Sequence, residues 1–147
     1  MYRRILVPVD GSPTAARGLR EAIRLAKSER ARLRLVHVVD ESVALATGEP
    51  GIDLAPLFAA LRKGGGALLQ RTKRAAKRLG VDAETAIYDS VTRGAADAIL
   101  RDAKKWRADL IVMGTHGRRG VRRLVLGSDA EQVVRLSPVP VLLVRGR

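Results

Sequence analysis

Short apolar runs alternate with helical periods along this chain, the pattern of parallel strands joined by crossover helices. Residues 5–9 are apolar without a break until Asp10, which predicts a strand covered on both faces. Ser12 then offers an N-cap, with Pro13 at the first helical position. Ala15, Leu19, Ala22, Ile23 and Ala26 recur at helical spacing, while Arg17, Arg20, Arg24 and Lys27 take the wet side. A second strand is expected at 33–39. Residues 41–56, punctuated by Gly48, Pro50, Gly51 and Pro56, read as irregular. A helix follows, interrupted or delayed by Gly64-Gly65-Gly66 and secure over 67–79. Its inner face is Leu68, Leu69, Ala75, Ala76 and Leu79, its outer face Arg71, Lys73, Arg74, Lys77 and Arg78. Gly80 stands where a left-handed residue would close that helix.

The second half repeats the alternation. A more polar strand at 81–88 suits a sheet edge, and a helix at 92–105 packs through Ala95, Ala96, Ile99, Leu100 and Ala103. A buried strand at 108–113 runs into a glycine-rich loop, followed by a short helix at 130–135. The last strand, 139–144, contains Pro140, which cannot donate to a ladder and so marks an edge or a strand start. No long linker, repeat or low-complexity tract divides residues 1–147, so one α/β layer sandwich is expected.

Composition narrows the class. The 147 residues are 46% hydrophobic and 29% charged, as in a globular domain able to bury a core. No cysteine is present, which removes disulfides and thiolate chemistry and suits a reducing cytoplasm. No apolar stretch approaches the roughly 20 residues of a membrane helix, and the first apolar run is too short for a signal peptide. A soluble, cytoplasmic protein is expected. The formal charge of +13 attracts polyanions through a salt-sensitive, sequence-independent term. Neither a nucleic-acid reading motif nor an aromatic stacking platform accompanies it, so specific nucleic-acid recognition is not the favoured reading.

The most informative stretch is Gly114-Thr115-His116-Gly117, then nine residues, then Gly127-Ser128. Glycines where a strand hands over to a helix let main-chain N–H groups approach an anion, and the helix start adds partial positive charge. The spacing is neither a Walker A loop nor G-x-G-x-x-G. In open parallel sheets, ligands bind beyond the carboxyl ends of the strands where the strand order reverses. If the first and fourth strands are neighbours, Asp10-Gly11 and the glycine loop meet at one crevice. Asp10 is then a nucleotide contact or a cap for the first helix. His37, between Val36 and Val38, reads as packed or hydrogen-bonded, and two histidines at 37 and 116 give no metal spacing. Arg118, Arg119, Arg122 and Arg123 lie inside the loop, where one or two could close over a triphosphate.

These residues resemble the universal stress protein family over essentially the full length. The resemblance rests on 5–12 (Ile-Leu-Val-Pro-Val-Asp-Gly-Ser), 35–38, 113–117, 126–128 and 138–144, and on the Gly, two residues, Gly, nine residues, Gly-Ser signature of its ATP-binding branch. It implies a five-stranded parallel sheet in the order 3-2-1-4-5 with helices on both faces, Rossmann-like, and a homodimer through Val141, Leu142, Leu143 and Val144. It implies ATP, with Mg²⁺ as an accompanying ion. Asp10, with Pro8 and Val9 beside it, would bind the ribose or adenine side, and Val38 would line the adenine pocket. Met113, Gly114, His116 and Gly117 would face ribose and phosphates, and Gly127 and Ser128 would offer amides and a hydroxyl. Asp129 and Ala130 depart from the small or hydroxylated residues expected there. Ala130 lacks a hydroxyl, and Asp129 either weakens ATP binding or helps hold Mg²⁺.

The expected function is a nucleotide-dependent stress-response sensor or regulator acting through a protein partner. Two alternatives stand beside it: a dimeric interaction protein without nucleotide, and a basic polyanion-binding module. Ser128 has no histidine placed by sequence to activate it and no paired carboxylates appear, so nothing beyond slow ATP hydrolysis is expected. A β-branched residue at Gly114 or Gly117 is expected to abolish binding and leave the fold intact.

Overall fold

The computed structural model describes residues 1–47, 51–91, 94–116 and 126–145, with the side chains of 43, 44 and 47 left aside. The five strands are β1 (Arg4–Pro8), β2 (Arg32–Asp40), β3 (Ala83–Ser90), β4 (Leu110–Gly114) and β5 (Val141–Val144). The helices are α1 (Pro13–Glu29), α2 (Ser42–Thr47), α3 (Ala55–Arg78), α4 (Gly94–Trp106) and α5 (Ser128–Leu136). All strand pairs are parallel, in the order β3-β2-β1-β4-β5. The polar β3 and the proline-led β5 are the two edges, as their sequences suggest. Pro140 lies just outside β5, where its carbonyl accepts from Ile111 N–H at 3.0 Å.

Alternate side chains of each strand feed two cores. On one face Ile5, Val7, Leu33, Leu35 and Val112 pack with Ala22, Ile23 and Ala26 of α1 and Leu69 and Ala76 of α3. On the other, Leu6, Val36, Ile111 and Met113 pack with Ala96, Ile99 and Ala103 of α4 and Ala130 and Val133 of α5. The order places the reversal between β1 and β4, whose carboxyl ends therefore flank a crevice.

Helix signals were legible at their ends. Ser12 Oγ accepts from Ala15 N–H at 3.1 Å, and α1 opens with Pro13. Gly80 adopts φ +81°, with its N–H on the Lys77 carbonyl (2.9 Å) and Val81 N–H on that of Ala76 (3.1 Å). That is a Schellman closure, and it takes Val81 out of the strand.

Three expectations are corrected. Part of the irregular segment 41–56 is helical (α2), entered through Ser42 N–H bonding Asp40 Oδ1 at 3.0 Å. The triple glycine does not interrupt α3, which runs through it. A Cβ at Gly65 would collide with the His37 ring and lie 3.1 Å from Ile87, so this glycine lets the helix lie close to the sheet. Leu79 faces solvent, because it belongs to the cap, and the buried Thr72 takes an inward position that hydrophobicity alone would not assign. Gly48, Pro50, Thr92, Gly117 and the loop arginines fall outside the described residues.

Candidate nucleotide-binding crevice

Each sequence-predicted residue can be placed from its element upward. Leu6 and Ile111 pair across β1 and β4, and Pro8 and Met113 lie two residues further on, so on the same face. Val38, two residues beyond Val36 on β2, packs on the same α4/α5-side core. Pro8, Val38 and Met113 thus form an apolar floor at the carboxyl ends of three adjacent strands. Val9 points the other way. Its side chain is in the α1/α3-side core, its N–H bonds the Val36 carbonyl (2.8 Å) and its carbonyl meets His37 Nδ1 (2.7 Å). A carbonyl only accepts, so His37 Nδ1 carries the proton; this histidine is packed and bonded, as read from the sequence.

Beyond the floor, Asp10 Oδ1 accepts from Ser12 N–H at 2.8 Å, a turn that shapes the approach to α1. Ser12, and not Asp10, caps the helix. Ser12 Oγ lies 3.2 Å from Thr14 Oγ1, and Thr14 Oγ1 donates to the His116 carbonyl. The start of α1 is thereby tied to the loop after β4. Gly114 sits at the tightest point of this contact. A Cβ there would lie 2.7 Å from the Thr14 carbonyl carbon and 2.9 Å from its oxygen, against backbone that cannot move aside. The glycine serves helix–strand packing, so a β-branched replacement would strain the fold itself. That corrects the expectation of an intact fold.

The two ends of the glycine loop meet. Thr115 N–H bonds the Val144 carbonyl at 3.0 Å, and Gly127 N–H bonds the Thr115 carbonyl at 2.9 Å. Gly127 spends its amide on this closure and becomes the N-cap of α5, without a side-chain cap bond. The first-turn amides of Ser128, Asp129 and Ala130 are those a helix start leaves without intrahelical partners. His116 Nδ1 lies 2.9 Å from Thr115 Oγ1, and His116 Nε2 is buried with no hydrogen-bond partner among the described residues. Ala130 is buried in the core, so its lack of a hydroxyl takes nothing from the crevice. Asp129 is exposed and its Oδ1 lies toward Gly94 at the start of α4. With Glu131 it puts two carboxylates in the first turn of α5, which stabilise the helix and oppose a nearby polyphosphate. Among the described residues no group of three or more His, Asp or Glu side chains is placed to hold a metal. Gly117 lies outside the described residues.

Sequence reasoning missed Thr14 and Thr115, which join the parts of the crevice. It also missed a buried polar cluster between β2, β3 and α4. Arg34 Nε and Nη2 donate to Asp102 Oδ2 and Oδ1 (3.0 and 2.9 Å), and the Tyr88 hydroxyl donates to Oδ1 (2.6 Å). Arg34 Nη1 and Trp106 Nε1 both reach Glu84 Oε2 at 3.2 Å. The bond to Asp102 raises the Arg34 pKa, and burial, then the Asp102 contact, raises that of Tyr88 above its ordinary 10.0. The helical spacing of Ala95, Ile99 and Asp102 was the available signal. The cluster fastens α4 to the sheet.

The order β3-β2-β1-β4-β5, with helices packed on both faces, defines a doubly wound α/β protein of the Rossmann-like class. The universal stress protein family model matches residues 1–145, and the chain belongs to that family. YxiE, a universal stress protein of Bacillus subtilis, is 36% identical over 99% of this chain and 100% of its own. The crystal structure of a family protein from Burkholderia pseudomallei superimposes with a TM-score of 0.79 at 35% identity, covering 97% and 96% of the two chains. A universal stress protein crystallised with cAMP matches with a TM-score of 0.71 at 25% identity, over 97% of each chain.

Proposed function

We propose that this protein binds ATP in the crevice and acts as a nucleotide-dependent regulator in the stress response. The observation that carries the proposal is the Gly127–Thr115 closure, which seats an uncapped helix start beside His116 and the apolar floor. The adenine would rest on Pro8, Val38 and Met113, with Asp10 Oδ2 toward the ribose and Val9 shaping the wall through its backbone alone. The phosphates would meet the Ser128, Asp129 and Ala130 amides, the Ser128 hydroxyl and His116 Nε2, with Gly114 at the start of the loop. The cAMP complex of a relative supports nucleotide as the ligand class. Any Mg²⁺ would arrive with the triphosphate, and Asp129, in the first turn of α5, would help hold it. ATP is read as a bound signal, with at most slow hydrolysis. The cytoplasm is the proposed location.

Ser128 tests the site without breaking the helix, because the first helical position accepts proline. Ser128→Pro removes one amide and the hydroxyl; Ser128→Ala removes the hydroxyl alone. With a charge-assisted bond contributing roughly 1.5–3 kcal/mol, Ser128→Pro should weaken ATP binding at least tenfold at unchanged thermal stability. Equal affinity of wild type and Ser128→Pro would move the phosphates elsewhere.

The open edge at β5 further supports a homodimer. Leu142 on that strand and Val134 and Leu136 on α5 are exposed. Sedimentation should give twice the chain mass for the wild type and a shift toward monomer for Leu142→Glu; a monomeric wild type would remove the dimer.

A further inference from the structure

Charge is distributed unequally between the two helical layers. The layer of α1 and α3 carries eleven Arg and Lys side chains against two carboxylates. The layer of α4 and α5 carries four against four. The 24 residues of α3 contain seven cations and no acid, and all seven are exposed. Arg62 alone of the seven is paired among the described residues, with Asp89. Arg71, Lys73, Arg74, Lys77 and Arg78 crowd the last two turns on one side of the helix, opposite the buried Leu69, Thr72 and Ala76. At 1.5 Å per residue α3 is about 36 Å long, close to one turn of duplex at about 34 Å.

We propose that the α1/α3 face is a docking surface for double-stranded nucleic acid, held through its phosphates without sequence preference. This lies beyond the nucleotide crevice and does not depend on it. Charge sets the partner's sign, and what the face lacks sets its class. A single strand needs stacking platforms, but α1 has no aromatic residue and α3 has only the half-buried Phe58. A membrane surface needs an apolar stripe to insert, but the apolar sides of both helices are spent in the core. Between Leu57 and Leu79 at the two ends of α3, no large apolar side chain is exposed. What remains is a rigid rod of guanidinium and ammonium groups, suited to a regular array of phosphates.

Fluorescence anisotropy of a labelled 30-base-pair duplex of random sequence, titrated with the full chain over a range of salt, tests this. The expected log–log salt slope is steep, at about −0.9 per phosphate neutralised. Arg71→Ala/Arg74→Ala/Arg78→Ala should make that slope shallower by roughly 2.7. Lys73→Ala/Lys77→Ala should reduce it by about 1.8. Lys104→Ala/Lys105→Ala/Arg135→Ala removes the same charge from the other layer and should leave the slope unchanged. Exposed helical positions tolerate alanine, so circular dichroism should be the same throughout. Equal losses in the two triple variants, or no duplex binding, would overturn the proposal. So would binding to phosphatidylserine vesicles at salt that releases the duplex.

Discussion

Asp102 is almost wholly buried, yet its carboxylate is paired and hydrogen-bonded by described residues. Arg34 grips both its oxygens, and Tyr88 donates to one of them. Breaking such a pair from one side strands a charge, a loss of roughly 3–5 kcal/mol, whereas the intact pair contributes far less. The cluster has a pH signature with a definite sign. Tyr88 holds its proton more tightly folded than unfolded, so its contribution is complete below 10.0 and is lost as pH rises through the higher folded value. In a Tyr2→Phe background, the midpoint of phenolate absorbance should lie above 10.0, and Tyr88→Phe should remove this component of alkaline destabilisation. Ionisation of Tyr88 at or below its ordinary value would contradict the geometry of the cluster. Gly114 carries a similar lesson. It looked like a phosphate-facing glycine, but the close approach of Thr14 gives it a packing role whatever the loop binds.

Among elements, α3 separates propensity from packing. Its three adjacent glycines weaken the helix alike in isolation, yet their surroundings differ. A Cβ at Gly64 or Gly66 meets nothing within 4 Å, while one at Gly65 meets the His37 ring. Gly64→Ala and Gly66→Ala should each stabilise the protein by up to about 1 kcal/mol. Gly65→Ala should destabilise it by roughly 1–3 kcal/mol through overpacking, read from urea midpoints. Three equal shifts would mean that α3 does not lie against β2 as described. The strands, the α1 cap and the Gly80 closure were legible because short-range patterns of apolar spacing, capping side chains and turn glycines determine them. The continuous α3, the inward Asp102 and the exposed Leu79 were not, because contacts between distant segments decide them. The same division runs through the crevice. Asp10, Gly114 and Gly127 could be singled out by motif, but Thr14, Thr115 and the inward turn of Val9 needed the register of β1 against β2 and β4.

For the whole molecule, the sheet places two chemistries apart. The crevice opens at the carboxyl ends of the strands, where β1, β4 and the start of α5 converge. Most of the cation excess carried by the helices covers the outer side of α1 and α3. No helix among the described residues is long and apolar enough to cross a membrane. The proposed nucleotide crevice and the proposed docking face are therefore separable by experiment, since a nucleotide site saturates at fixed stoichiometry and a polyelectrolyte face follows salt. The most direct measurement is calorimetric titration of the wild-type chain with ATP at physiological salt, with and without Mg²⁺. An ATP site at the crevice predicts saturation near one nucleotide per chain, an affinity that survives a doubling of salt, and its loss in Ser128→Pro. Absent heat, or heat abolished by modest added salt and indifferent to Ser128→Pro, would contradict it.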